Sequence, residues 1–186
     1  MRSIIIIDEI NRGNLAKIFG ELVYSLEYRG KVGHEGQEVI LPYSNDKFIV
    51  PENIWIIATM NSADRSIALV DYAIRRRFFF IDFVANDRIL EAYLSTTKSK
   101  IELNLVIGFF NEINHSVLND EKLGKHYQLG HSYFMKPGLD EKMLRRIWKY
   151  SIKPILEEYY FEDYAQLEKF ENSLKVIIPD RNSMSS

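Results

Sequence analysis

No cysteine occurs among the 186 residues. That excludes a disulfide framework, a thiolate metal site and a cysteine nucleophile. Five prolines and nine glycines are too few for a collagen-like or low-complexity chain. Charge of one sign is also missing. The formal net charge is -2, so no whole-chain field draws the protein to a polyanion, although a local basic patch is compatible with it. No apolar run approaches the roughly 20 residues of a membrane span, and Met1-Arg2-Ser3 leads into only four isoleucines. The chain reads as soluble and cytoplasmic. What it does have is a globular balance, 46% apolar and 27% charged, with enough apolar material for a core.

Ile4 to Ile7 is a β-branched run ending in Asp8-Glu9, which suits a strand buried on both faces of a parallel sheet. Asn14 can cap a helix with an apolar stripe at Leu15, Ile18, Phe19, Leu22, Val23 and Leu26. A loop with Gly30, Gly33 and Gly36 follows. Val39-Ile40-Leu41 and Phe48-Ile49-Val50 then form the arms of a hairpin turning at Ser44-Asn45-Asp46. Ile54 to Ala58 is a second buried strand, running into Thr59-Met60-Asn61. Ser66 can cap a helix through Arg76, with Leu69, Val70, Ala73 and Ile74 inward, and Phe78 to Phe83 reads as a third strand. This order implies a parallel α/β sheet. After Phe83 the patterns are helical: Arg88 to Leu94, Ile101 to Leu118, and Glu141 to Tyr160 with Pro154 as a break or fresh start. Gly124 to Gly138 is a loop-rich linker. Val176-Ile177-Ile178 is a late strand or a packing segment.

Three segments could carry chemistry. Asp8 and Glu9 fall at the carboxyl edge of a strand, where α/β proteins bind ligands. An Asp there can hold Mg²⁺ through water and a Glu can orient an attacking water, but the pair also suits a strand running out into solvent. Asn61 follows the second strand to the same edge. Its amide can donate to a γ-phosphate and accept from water, or serve an Asn/Asp turn. Arg75, Arg76 and Arg77 end a helix, where they complement its dipole or clamp phosphate oxygens. Consecutive helix residues point about 100° apart, so the three cannot share one job.

Asp8-Glu9 closing an isoleucine strand resembles the Walker B motif of AAA+ proteins. Asn61 resembles sensor 1, and Arg75 to Arg77 hold the arginine-finger position. Four segments together, in this order and spacing, resemble the McrB-like family, the GTP-hydrolysing motor subunits of methylcytosine-dependent restriction systems. They are Asp8-Glu9-Ile10-Asn11-Arg12, Met60 to Ser66, Val70 to Phe78 and Leu129-Gly130-His131-Ser132-Tyr133-Phe134. The resemblance runs from about Ile4 to Tyr164. It implies an incomplete AAA+ P-loop NTPase core of α/β class over residues 1–83, a parallel sheet with a hairpin insert. An all-α lid over 84–181 and a frayed tail over 182–186 follow. It implies that Asp8 supports Mg²⁺, Glu9 polarises water, Asn61 positions that water, and Asp64 and Arg65 complete a signature loop. Arg12, Asp71 and Arg76 would face the nucleotide of the adjacent subunit, with Arg77 kept within its own. GTP or ATP is the implied substrate, a hexameric ring the assembly, and a McrC-like nuclease subunit the partner. DNA is engaged through the full complex and not by this chain; no membrane is involved.

The departure is the P-loop. No Gly-x-x-x-x-Gly-Lys-Ser/Thr occurs in the sequence, and Gly30, Gly33 and Gly36 are followed by no Lys-Ser/Thr pair. In the family the P-loop lies upstream of the Walker B strand, and the strand that carries it sits between the strands of Asn61 and of Phe78 to Phe83. The isolated chain is therefore expected to be inactive, with unpaired backbone edges. Two other readings stay open: a non-catalytic fragment that only docks onto intact subunits, and a dynein-related or MoxR-like remodelling ATPase. Met60 to Ser66 and Leu129 to Phe134 speak against the latter. His34, His115, His126 and His131 form no recognised metal spacing. Tyr159, Tyr160, Phe161 and Tyr164 read as lid core, and Lys142, Arg145, Arg146 and Lys149 as a solvated basic face, with Arg145 or Arg146 as a candidate sensor 2.

Overall fold

The isoleucine run does form a strand, β1 (Ser3–Ile7), and it pairs in parallel with the second apolar run. The computed structural model describes residues 1–20, 22–27, 29, 38–61 and 72–179. These divide into two compact units, Met1–Asp82 and Phe83–Ser186. In the first, β1 is followed by a 3-10 turn at Ile10–Arg12, α1 (Leu15–Phe19), α2 (Leu22–Glu27), β2 (Val39–Ile40), β3 (Lys47–Phe48), β4 (Ile54–Ala58) and α3 (Tyr72–Arg75). The β1–β4 register runs from Ser3 opposite Ile54 to Ile7 opposite Ala58. Because the two strands end level, the residues after each leave from one edge.

Asn14 caps α1 as its sequence position suggests, its Oδ1 accepting from the Lys17 amide at 3.0 Å. The expected single helix is split in two. Gly20 takes φ +39°, a conformation that glycine adopts without the steric cost of a Cβ. Leu15, Phe19 and Leu26 then bury against Val50 and Ile74, with Ile54 and Ile56 of β4 packed on the cluster. Arg29 ties helix to sheet, donating to the carbonyls of Leu26 at 3.3 Å and Ile54 at 2.8 Å. The hairpin forms with Val39 opposite Phe48 and Ile40 opposite Lys47, and Asn45 turns at φ +56°.

Two expectations for this unit fail. β1 is not buried on both faces: Ile4 and Ile6 are 61% and 73% exposed, because α1 and α2 cover one side only and no other described segment lies over them. Phe78 to Phe83 is not a strand. A strand exists by its partners; among the described residues β4 pairs with β1 alone, and no described segment pairs with this one. Phe79, Ile81 and Phe83 are exposed, while Phe80 lies 5.3 Å beneath the Arg75 guanidinium. The glycines 30, 33 and 36, the Ser66 start of the arginine helix, Asp64, Arg65, Asp71 and the 182–186 tail lie outside the described residues.

The second unit is helical: α4 (Asp87–Thr96), α5 (Leu103–Asn119), 3-10 turns at Lys125–Tyr127 and His131–Tyr133, α6 (Glu141–Ile147), a π-helix (Trp148–Ile152), α7 (Lys153–Tyr159) and α8 (Tyr164–Ile177). Asn86, Asp140 and Asp163 cap α4, α6 and α8 through bonds of 3.1, 2.8 and 3.1 Å. Pro154 has no N–H to return to the preceding turn, and that turn widens into the π-helix. The core centres on Phe109, Phe110 and Phe134, with edge-to-face rings 6.4 and 5.8 Å apart. Val176-Ile177-Ile178 is no strand; it ends α8, whose Leu167, Phe170 and Leu174 recur at helical spacing and pack into this core. Tyr159 and Tyr160 join the core, but Phe161 and Tyr164 are 74% and 75% exposed, contrary to the core reading. Among the described residues no helix is long and apolar enough to cross a membrane.

Candidate functional site

The parallel register brings the ends of β1 and β4 together, and Thr59 ties them. The Ile7 carbonyl accepts from the Thr59 amide at 3.0 Å, and the Thr59 carbonyl from the Ile10 amide at 2.9 Å. The Thr59 hydroxyl accepts from the Glu9 amide at 3.0 Å and donates to the Asp8 carboxylate. Glu9 takes a left-handed conformation, φ 50° and ψ 49°, so the chain turns sharply after Asp8. Asp8 and Glu9 are both exposed, at an edge open to solvent.

Asn61 leaves β4 beside them. Its backbone carbonyl accepts from Asn11 Nδ2 at 3.1 Å, a tie across fifty residues, and Asn11 itself is buried. Arg12 pairs with Glu9 of the same chain. The three arginines separate as their helical spacing requires. Arg75 stacks on Phe80, Arg76 is exposed, and Arg77 is buried against Glu27 at 2.5 Å. The structure thus brings Asp8, Glu9, Arg12 and Asn61 to one edge. Asp64, Arg65 and Asp71 lie outside the described residues.

Sequence reasoning gave no role to Thr59 or Asn11. A hydroxyl on the residue after a strand, facing acids after the neighbouring strand, is the signal that would have found Thr59. The donor set suits Mg²⁺. Thr59 occupies one Asp8 oxygen and leaves the other toward solvent, and Mg²⁺ characteristically keeps several waters and uses one or two carboxylates. Among the described residues no group of three or more His, Cys, Asp and Glu could hold a metal without such outside ligands.

In the helical unit, Leu129 to Phe134 is anchored by a buried amide. Asn114 Oδ1 accepts from the Leu129 amide at 2.6 Å, and its Nδ2 donates to the Leu129 carbonyl at 3.1 Å. Leu129 and Phe134 are buried in the core. His131 Nδ1 is buried without a partner among the described residues. Arg145 is committed to the end of α8, donating to the Ile178 and Pro179 carbonyls at 2.7 and 2.6 Å, whereas Arg146 is exposed.

Residues 2–78 match the family model described as AAA domain (dynein-related subfamily). Residues 105–168 match the model of the McrB alpha-helical lid domain. The chain is 40% identical over 92% of its length to the Type IV methyl-directed restriction enzyme EcoKMcrB subunit of Escherichia coli K12, covering 39% of that protein. It is 36% identical over 41% of its length to the Type II restriction enzyme BsuMI component YdiS of Bacillus subtilis 168, covering 25% of it. The chain thus spans well under half the length of the curated relatives it matches.

A short parallel sheet with acids at its carboxyl edge, followed by a helical lid, is the AAA+ arrangement. The lid and the long alignment narrow the class: the chain belongs to the McrB-like AAA+ family.

Proposed function

We propose that this chain supplies the water-activating edge, the trans-acting arginine and the lid of a McrB-like nucleoside-triphosphatase that powers a restriction system. The observation that carries the reading is the joint edge, where the Asp8-Glu9 turn and the Asn61 loop are stitched side by side through Thr59 and Asn11. Asp8 would hold Mg²⁺ through water, and the bound ion would neutralise charge on the β- and γ-phosphates of GTP or ATP. The Glu9 carboxylate takes hydrogen bonds from the attacking water and polarises it. The Asn61 carboxamide accepts from the same water and fixes its line of approach. Arg76, exposed just past α3, reaches the nucleotide of the adjacent subunit in a hexameric ring. By the family resemblance Arg12 and Asp71 would act on that same nucleotide, and Asp64 and Arg65 would complete the signature loop. Arg77 serves its own subunit by tying α3 to Glu27 of α2. A nuclease subunit would draw on this turnover, with DNA engaged by the whole assembly. The domain roles follow: residues 1–83 form the catalytic half-core and 84–181 the lid.

The test is hydrolysis by a full chain carrying these residues behind a P-loop. Glu9→Gln should keep nucleotide binding and lower turnover at least about 100-fold, since it keeps shape and removes the charge that polarises water. Turnover within twofold of the parent would refute the assignment.

A further inference from the structure

We propose that Asn11 is a positioning residue, fixing the Asn61 loop against the Glu9 turn; the inference rests on the hydrolytic reading above. Asn11 is 6% exposed and lies two residues beyond Glu9. Its amide donates to the Asn61 carbonyl at 3.1 Å, but its Oδ1 is buried with no partner among the described residues. A half-satisfied amide is a poor way to fill core space, because a buried acceptor without a donor is costly and an apolar side chain of similar size is not. Packing therefore does not account for an amide at this position. The bond to Asn61 does.

Backbone bonds join the two loops at Thr59, whose N–H and C=O bond to Ile7 and Ile10. Asn11 extends the stitching two residues further, to the residue whose side chain is to align water. It does so from the rigid side of the turn, where Arg12 N–H bonds back to the Glu9 carbonyl at 2.9 Å. One side chain thus references Asn61 to the backbone that carries Glu9. A displacement of about 1 Å between two groups acting on one water is enough for a rate loss on the order of 100-fold.

Two substitutions separate positioning from packing. Asn11→Leu fills the space and removes the orphaned oxygen; Asn11→Asp keeps the shape but cannot donate when ionised. In the full chain with its P-loop, both should lower kcat by about 10- to 100-fold with KM within about threefold, and Asn11→Leu should unfold at no lower urea concentration than the parent. A kcat within twofold of the parent in either folded variant overturns the inference, as does failure of both to fold, which would make Asn11 a folding determinant. The 186-residue chain gives a readout independent of hydrolysis. Amide exchange at Met60 and Asn61 should be about tenfold faster in Asn11→Leu, with Ile5 and Ile56 unchanged; equal exchange at all four overturns the inference. If the parent full chain hydrolyses nothing, the hydrolytic reading fails, while the exchange measurement still decides whether Asn11 fixes the loop.

Discussion

The Tyr160 hydroxyl is buried without a hydrogen-bond partner among the described residues. Burial, reinforced by Asp120 and Asp163, pushes its pKa up to about 12 from an ordinary value of 10. The folded protein therefore holds this proton more tightly than the unfolded chain. The resulting stability is fully present below about pH 10 and is lost as pH rises toward 12. Tyr160→Phe should leave stability near pH 8 unchanged or raise it by about 1 kcal/mol, and should flatten the loss between pH 10 and 12. Urea unfolding followed by helical circular dichroism at both ends of that window checks this. A variant less stable near pH 8 would mean that the hydroxyl has a stabilising partner. Asp8, Glu9 and Asn61 were legible in the sequence because each follows an apolar β-branched run, and parallel strands bring such ends to one edge. Thr59 was legible only through its place directly after the second strand, and Asn11 not at all as a tie, since its bond crosses fifty residues and local pattern carries no trace of it.

At the scale of elements, the Leu129 to Phe134 segment is held by the two bonds from Asn114, a residue on α5. Asn114→Ala strands the Leu129 N–H and carbonyl in the core. It should lower the stability of the helical unit by about 2–3 kcal/mol, seen as a shifted urea midpoint with an unchanged slope. A shift under about 0.5 kcal/mol would mean that the segment is held by its apolar contacts alone. Helices were readable wherever an apolar stripe met a capping residue, as at Asn14. Two elements misled. Phe78 to Phe83 has the composition of a strand, but strand composition reports only fitness for a pleated surface, and pairing needs a neighbour. Val176 to Ile178 has the same composition and ends a helix, because the stripe through Leu167, Phe170 and Leu174 outweighs three β-branched or apolar residues.

At the scale of the whole molecule, apolar exposure is concentrated in the first unit. Ile4, Ile6, Trp55, Ile57, Phe79 and Ile81 are all more than half exposed. Such a surface on a strand pair with an open edge favours association. Size-exclusion chromatography with light scattering of the 186-residue chain should give oligomers or aggregates that grow with concentration. A thermally stable monomer at all concentrations would mean that this surface is covered in solution.

In the proposed function one subunit activates water with Glu9 while its neighbour supplies Arg76. Mixing decides it, in the full chain with its P-loop. Glu9→Gln subunits keep Arg76, and Arg76→Ala subunits keep Glu9, so each homogeneous ring is inactive for a different reason. In a mixed ring some interfaces pair an intact Glu9 with an intact Arg76. A trans arginine contributes about 10³-fold or more in rate, so even a minority of repaired interfaces rises above background. Hydrolysis rate against mixing ratio should pass through a maximum well above both parents. If mixed rings form and no ratio exceeds the parents, Arg76 does not act across the interface and the account is contradicted.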